Sequence, residues 1–152
     1  HADRVGATSR YYWAPTIADV LRNTYAPCTV LVWNNLFHEV RANPASFRSN
    51  VTRAHTLGEV HANLSARVRR VIFYVSQPPT GTFAHEVHAN VSMMDAWRLD
   101  HALADERFSK WLTVRADLHP HQDQTDGRHY GASGIAVVHA TLRPLLAARR
   151  KI

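Results

Sequence analysis

Two runs of β-branched and aromatic residues, free of Gly and Pro, constrain this chain most: "TVLVWNNLFHEV" from Thr29 to Val40 and "VRRVIFYVS" from Val68 to Ser76. Such side chains pack well on a pleated surface, so both runs read as strands. In the first, Val30, Val32, Asn34 and Leu36 fall on one face and Leu31, Trp33, Asn35 and Phe37 on the other. Both faces are mostly apolar, so both need cover. Between the runs, Phe47, Val51, Ala54, Leu57, Val60 and Leu64 recur at steps of three and four, the stripe of a helix. Asn43 offers its N-cap and Pro44 suits its first position.

The second run ends in a Pro-Pro-Thr-Gly turn, and "TFAHEVHANV" alternates beyond it as a hairpin partner. Ser92, with Asp95 three residues on, predicts a capping box. It opens a helix carrying Met93, Trp97, Ala104, Phe108, Trp111 and Leu112. After the polar loop "HPHQDQTDGRHYGASG", the run "IAVVHATL" from Ile135 reads as a last strand. The order is β-α-β-β-α-β. Two helices on one side of a four-stranded antiparallel sheet make an α+β, ferredoxin-like unit. It is expected over residues 29–142, after an N-terminal arm (1–28) and before a basic C-terminal tail (143–152). In the arm, "YYWAP" supplies aromatic anchors and Thr16 caps a short helix through "IADVLRN".

A chain of 152 residues can close a single core without disulfides or metals. The lone Cys28 forms no intrachain bridge and reads as a small buried hydrophobe. No apolar run approaches the ~20 residues of a membrane span. The net charge of +6 admits an acidic partner. The basic residues are scattered, however, apart from "RVRR" at 67–70 and "RRK" at 149–151, and no basic-aromatic stripe offers bases a stacking surface. Nucleic-acid binding is therefore disfavoured. A basic chain that begins at His1 leads us to expect a processed protein of the mitochondrion, or otherwise of the cytoplasm.

Residues 29–142 resemble the antibiotic-biosynthesis-monooxygenase type of dimeric α/β barrel, a superfamily that includes heme-degrading monooxygenases and NIPSNAP-like proteins. Three pieces carry the likeness: "VLVWNNLFHEVRANPASF", "FAHEVHANVSMMDAW" and "HALADERFSKWL". The resemblance implies a homodimer whose two sheets close into a barrel, with a pocket in each protomer between sheet and helices. It implies cofactor-independent oxygenation of polyphenolic substrates or heme cleavage, although many members have no established catalysis. The heme-cleaving branch matches at Asn35. Its catalytic histidine would fall at Trp111, and its tryptophan near Ala89 or Asn90, so those positions depart and argue against heme degradation.

On this resemblance the ligand pocket comprises Trp33, Asn35, Tyr74, Trp97, His101 and Trp111, with His88, His101 and Asn35 as catalytic candidates and no cofactor. A histidine poised near neutral pH would deprotonate an activated phenol. The competing reading, which we favour, makes Trp97 and Trp111 helix packing and His101 a partly exposed helix residue. Metal chemistry has two places to arise. His85, Glu86 and His88 stand one residue short of the helical H-E-x-x-H zinc site, and a strand would put His85 on the opposite face from Glu86 and His88. The loop holding His119, His121, Asp123, Asp126 and His129 is denser, and imidazole with carboxylate suits zinc or iron. His139, with His61 or His88, weakly resembles the paired H-x-T of two-histidine phosphoesterases, but Asn replaces Thr in both earlier copies. "HEVHANVS" itself is echoed by "HEVRANPAS" and "GEVHANLSA", in elements too different to be structural repeats.

The resulting expectation is a non-catalytic accessory subunit docked in a larger assembly through residues 1–28 and the basic tail. The alternative is a small cofactor-independent monooxygenase or aromatic-ligand-binding protein.

Overall fold

The computed structural model describes residues 14–27, 29–116, 126–129 and 131–147. Helix α1 (Ile17–Arg22) starts in a capping box: the Thr16 side chain accepts from the Asp19 amide and the Asp19 carboxylate accepts from the Thr16 amide. Strand β1 (Val30–Trp33) leads into α2 (Leu36–Ala42), a 3₁₀ turn (Pro44–Phe47) and α3 (Asn50–Ser65), which Ser49 caps. Strand β2 (Arg70–Val75) is followed by α4 (Gly81–Ala84), the short strands β3 (Val87–His88) and β4 (Val91–Ser92), then α5 (Met93–Glu106). Strand β5 (Thr113–Arg115) and helix α6 (Ala132–Ala147) complete the order.

The chain is mixed α/β around a three-stranded sheet of order β1-β2-β5. Both pairings are parallel, with Val32 opposite Ile72 and Tyr74 opposite Val114. The expected four-stranded antiparallel sheet is not formed among the described residues. Each connection between neighbouring strands of this sheet contains a helix that carries the chain back to the starting edge, which makes the next strand parallel. The first run stops being a strand at Trp33 because Asn34 takes over the backbone: its side chain donates to the Tyr74 carbonyl and accepts from the Leu36 amide, starting α2. The second run is a strand as expected. Its expected hairpin partner becomes α4 and a two-residue ladder, in which Ala89 (φ 47°) and Asn90 (φ 68°) form the left-handed turn. The run from Ile135 is helical, not a strand, being an apolar stretch whose periodicity fits either.

One face of the sheet, Leu31, Trp33, Val71, Phe73 and Val75, packs on Leu57, Val60 and Leu64 of α3 and on Leu103 and Ala104 of α5. The Phe73 ring meets Trp33 at 5.2 Å and Phe108 edge-on at 6.2 Å. Residues assigned above to an arm also pack here: Ile17, Val20 and Tyr25 are buried, and Glu39, itself buried, accepts from the Ile17 amide at 2.8 Å. A second cluster of Leu36, Val40, Phe47, Phe83, Met93 and Ala96 joins α2, α4 and α5. No helix among the described residues is long and apolar enough to cross a membrane.

Arg53 of α3 and Asp100 of α5 form a buried pair, Nε to Oδ1 at 2.7 Å and Nη2 to Oδ2 at 2.8 Å. Their side chains are 1% and 4% exposed, and the guanidinium lies 4.0 Å from the Phe47 ring centroid. Removing one partner strands a charge inside the core. Asp100→Ala is expected to cost about 3–5 kcal/mol in urea unfolding, whereas Arg53→Met with Asp100→Leu recovers most of that loss.

His61 stacks on Trp111 at 3.9 Å, and burial pushes its pKa below the ordinary 6.5. His38 is pushed down too, first by burial and then by Arg41, Arg128 and His129. Because the unfolded chain protonates these rings more readily, their contribution is complete above about pH 6.5 and is lost as the pH falls through the depressed values. Urea midpoints are therefore expected to drop between about pH 7.5 and 5.5. His61→Phe, which keeps the stack, is expected to flatten that slope; an unaltered slope would rule out the His61 contribution.

Candidate functional site

Parallel strands deliver the chain to one edge of the sheet, outside their carboxyl ends. Three segments gather there: the start of α2 after β1, residues 76–86 after β2, and residues 126–129 beyond β5. Asn34 ties the first to strand β2, donating to the Tyr74 carbonyl and accepting from the Leu36 amide. The Thr80 amide ties the second to the third by donating to the Gly127 carbonyl at 2.9 Å. Gly127 sits at φ +81°, and a Cβ there would lie 2.3 Å from the Thr80 carbonyl oxygen. Only glycine permits both the conformation and the approach.

This stitch positions the turn "DGRH". Asp126 Oδ1 accepts from the amides of His129 (2.8 Å) and Arg128 (3.2 Å), while Oδ2 meets His129 Nδ1 at 2.6 Å and Arg128 Nε at 3.2 Å. These donors, the His129 amide above all, hold the Asp126 carboxyl far below the usual carboxylate range. An ionised carboxylate can only accept. The proton in the 2.6 Å contact therefore belongs to His129 Nδ1, and in the neutral ring the lone pair is on Nε2. Nε2 has no partner among the described residues, and the side chain is 67% exposed.

Beside the dyad lies a cavity of about 170 Å³ lined by Phe37, His38, Arg41, Arg128 and His129. The Arg41 and Arg128 guanidinium carbons lie 5.8 and 5.3 Å from the Phe83 ring centroid, and Phe37 meets that ring edge-on at 5.2 Å. Arg41 Nη2 donates to both oxygens of Glu86 at 2.7 and 2.9 Å. His88 Nε2 contacts the same carboxylate at 2.8 Å, and this bond, followed by those from Arg41, lowers the Glu86 pKa.

The expected pocket residues are distributed differently. Trp33 is buried in the first core cluster, and Trp111 packs against it, stacked on His61 and Phe108. Trp97 packs against the second cluster and donates from Nε1 to the Ser76 carbonyl at 2.8 Å. His101 contacts Arg115 Nη2 at 2.8 Å and lies 4.9 Å from the Trp97 ring. Asn35 is buried, donating to the Ala14 carbonyl at 2.7 Å, while Tyr74 lends its carbonyl to Asn34. His88 stands on the hairpin against Glu86, and His139 is exposed on α6. Of the metal candidates, His119, His121 and Asp123 lie outside the described residues, and His129 is in the dyad. No group of three or more ligand-type side chains occurs among the described residues. The sequence does carry the dyad's signal: an Asp that caps its own turn, a Gly, and a His three residues on.

No protein-family model, curated protein or solved structure matches the chain. The chemistry must be read from the site.

Gly127→Ala is expected to displace the turn without disturbing the core. The check is the His129 Nδ1 proton in NMR, whose hydrogen-bonded signal should disappear while near-UV circular dichroism stays unchanged. A retained signal would refute the role given to Gly127.

Proposed function

We propose that the chain carries the acid–base pair of a hydrolase site, Asp126–His129, acting on an ester-type substrate. One observation supports this: an ionised carboxylate fixes the Nδ1–H tautomer at 2.6 Å and leaves a basic, accessible Nε2 beside a cavity. The same relation orients the base in nucleophilic acyl transfer, and it recurs irrespective of chain order. In the reaction, Nε2 takes the proton of an attacking hydroxyl, whose oxygen forms the new bond to the acyl carbon. Asp126 stabilises the resulting imidazolium. The imidazolium then returns the proton to the departing alkoxide as the ester C–O bond breaks. The hydroxyl belongs to water.

In the full-length protein, His129→Ala and Asp126→Asn are each expected to lower hydrolysis of 4-nitrophenyl acetate by about 10²- to 10⁴-fold. Rates within about twofold of the unaltered protein would sink the reading.

A second reading keeps the non-catalytic accessory subunit of a monooxygenase-type superfamily, mitochondrial and assembled with other subunits. Its support is the net charge of +6 together with the exposed apolar residues Val51, Val87 and Ile135. The two part on native mass: the subunit reading requires a particle much heavier than a 17.2 kDa chain or its dimer.

A further inference from the structure

We infer that the cavity beside His129 is an anion subsite, in which Arg41 and Arg128 hold a small oxyanion group (carboxylate, phosphate or sulfate) of the ester substrate. The inference rests on reading Asp126–His129 as the acid–base pair and adds what that pair acts upon.

The hydrogen-bonding inventory leads there. The two carboxylates near the site have their oxygens engaged: Asp126 receives two backbone amides, His129 Nδ1 and Arg128 Nε, and Glu86 receives Arg41 Nη2 twice and His88. Neither carboxylate lines the 170 Å³ cavity. The guanidinium groups that do line it are only partly engaged. Nε and Nη1 of Arg41, and both Nη groups of Arg128, have no acceptor among the described residues. The wall is therefore rich in fixed cationic donors and poor in acceptors, the condition that selects an anion.

Orientation is already built in. Glu86 grips Arg41 through both oxygens, Asp126 grips Arg128, and both guanidinium groups lie near the Phe83 ring, so little side-chain freedom is left to lose on binding. His38, on the same wall, has its pKa pushed down first by burial and then by Arg41, Arg128 and His129. The cavity is smaller than the ~300–1,000 Å³ of pockets that enclose a whole drug-sized ligand. It suits a terminal charged group. Phe37 supplies an apolar edge for the carbon that bears it.

The test compares kcat/KM for mono(4-nitrophenyl) succinate with that for uncharged 4-nitrophenyl butyrate, using the full-length protein. The unaltered protein should prefer the succinate ester. Arg41→Gln should lower the succinate-to-butyrate ratio by about 10- to 100-fold, the loss expected for a charge-assisted hydrogen bond. Arg41→Lys, which keeps the charge but not the fork, should give an intermediate ratio and guards against misfolding in the Gln variant. A ratio near one in the unaltered protein, or a ratio that Arg41→Gln does not move, overturns the subsite. Calorimetry with succinate alone separates this failure from failure of the acid–base reading. If neither ester is hydrolysed, succinate binding that Arg41→Gln abolishes upholds the anion site, and absence of binding ends it.

Discussion

The clamp between Arg53 and Asp100 holds the architecture in place. Strand order β1-β2-β5 advances in one direction, and right-handed crossovers then put both connecting helices, α3 and α5, over the same face. Two helices side by side on so narrow a sheet can slide, because apolar contacts are non-directional. A bidentate ion pair is directional, and burying it makes any other register of the two helices expose or strand a charge. The placement of α5 in turn sets the second core cluster. Through Met93, Ala96 and Phe83, that cluster fixes α4 and the Phe83 ring under the candidate site.

The site has the opposite character. Core residues are fixed by shape and burial, whereas the Asp126–His129 pair is fixed almost wholly by bonds within four consecutive residues. Asp126 finds its acceptor bonds in the turn it starts, so its ionisation does not depend on a distant partner. The remaining requirement is location, which two backbone groups supply where the Thr80 amide meets the Gly127 carbonyl. The cations of the neighbouring cavity come from another element, α2, whose start is set by Asn34 bridging β1 to β2.

Local signals in the sequence were good guides and long-range ones were not. The strand at Arg70–Val75, the α3 stripe of Leu57, Val60 and Leu64, and the Thr16 and Ser92 caps were legible because each depends on neighbours in the chain. Sheet direction was not. The helix that follows Asn35 is encoded by one side chain bonding a carbonyl forty residues away, which periodicity cannot register. The run from Ile135 is apolar on too many sides for its period to choose between strand and helix. For the site, the His- and Asp-rich loop drew attention as a metal cluster. The pair that forms within it, Asp126 and His129, obeys turn chemistry. Trp33 and Trp111, which the family resemblance implied as pocket walls, went to the core, where large aromatic surfaces bury best.

The meeting of Thr80 with Gly127 has a consequence for how this surface can vary. The contact is between main-chain atoms, so this attachment survives a change of side chain at position 80, provided the residue is not proline. Position 127 has no such latitude. Variation tolerated at one end and forbidden at the other leaves the rim of the crevice open to change around a fixed imidazole. Its contour could therefore be reshaped without moving the ring that would do the chemistry.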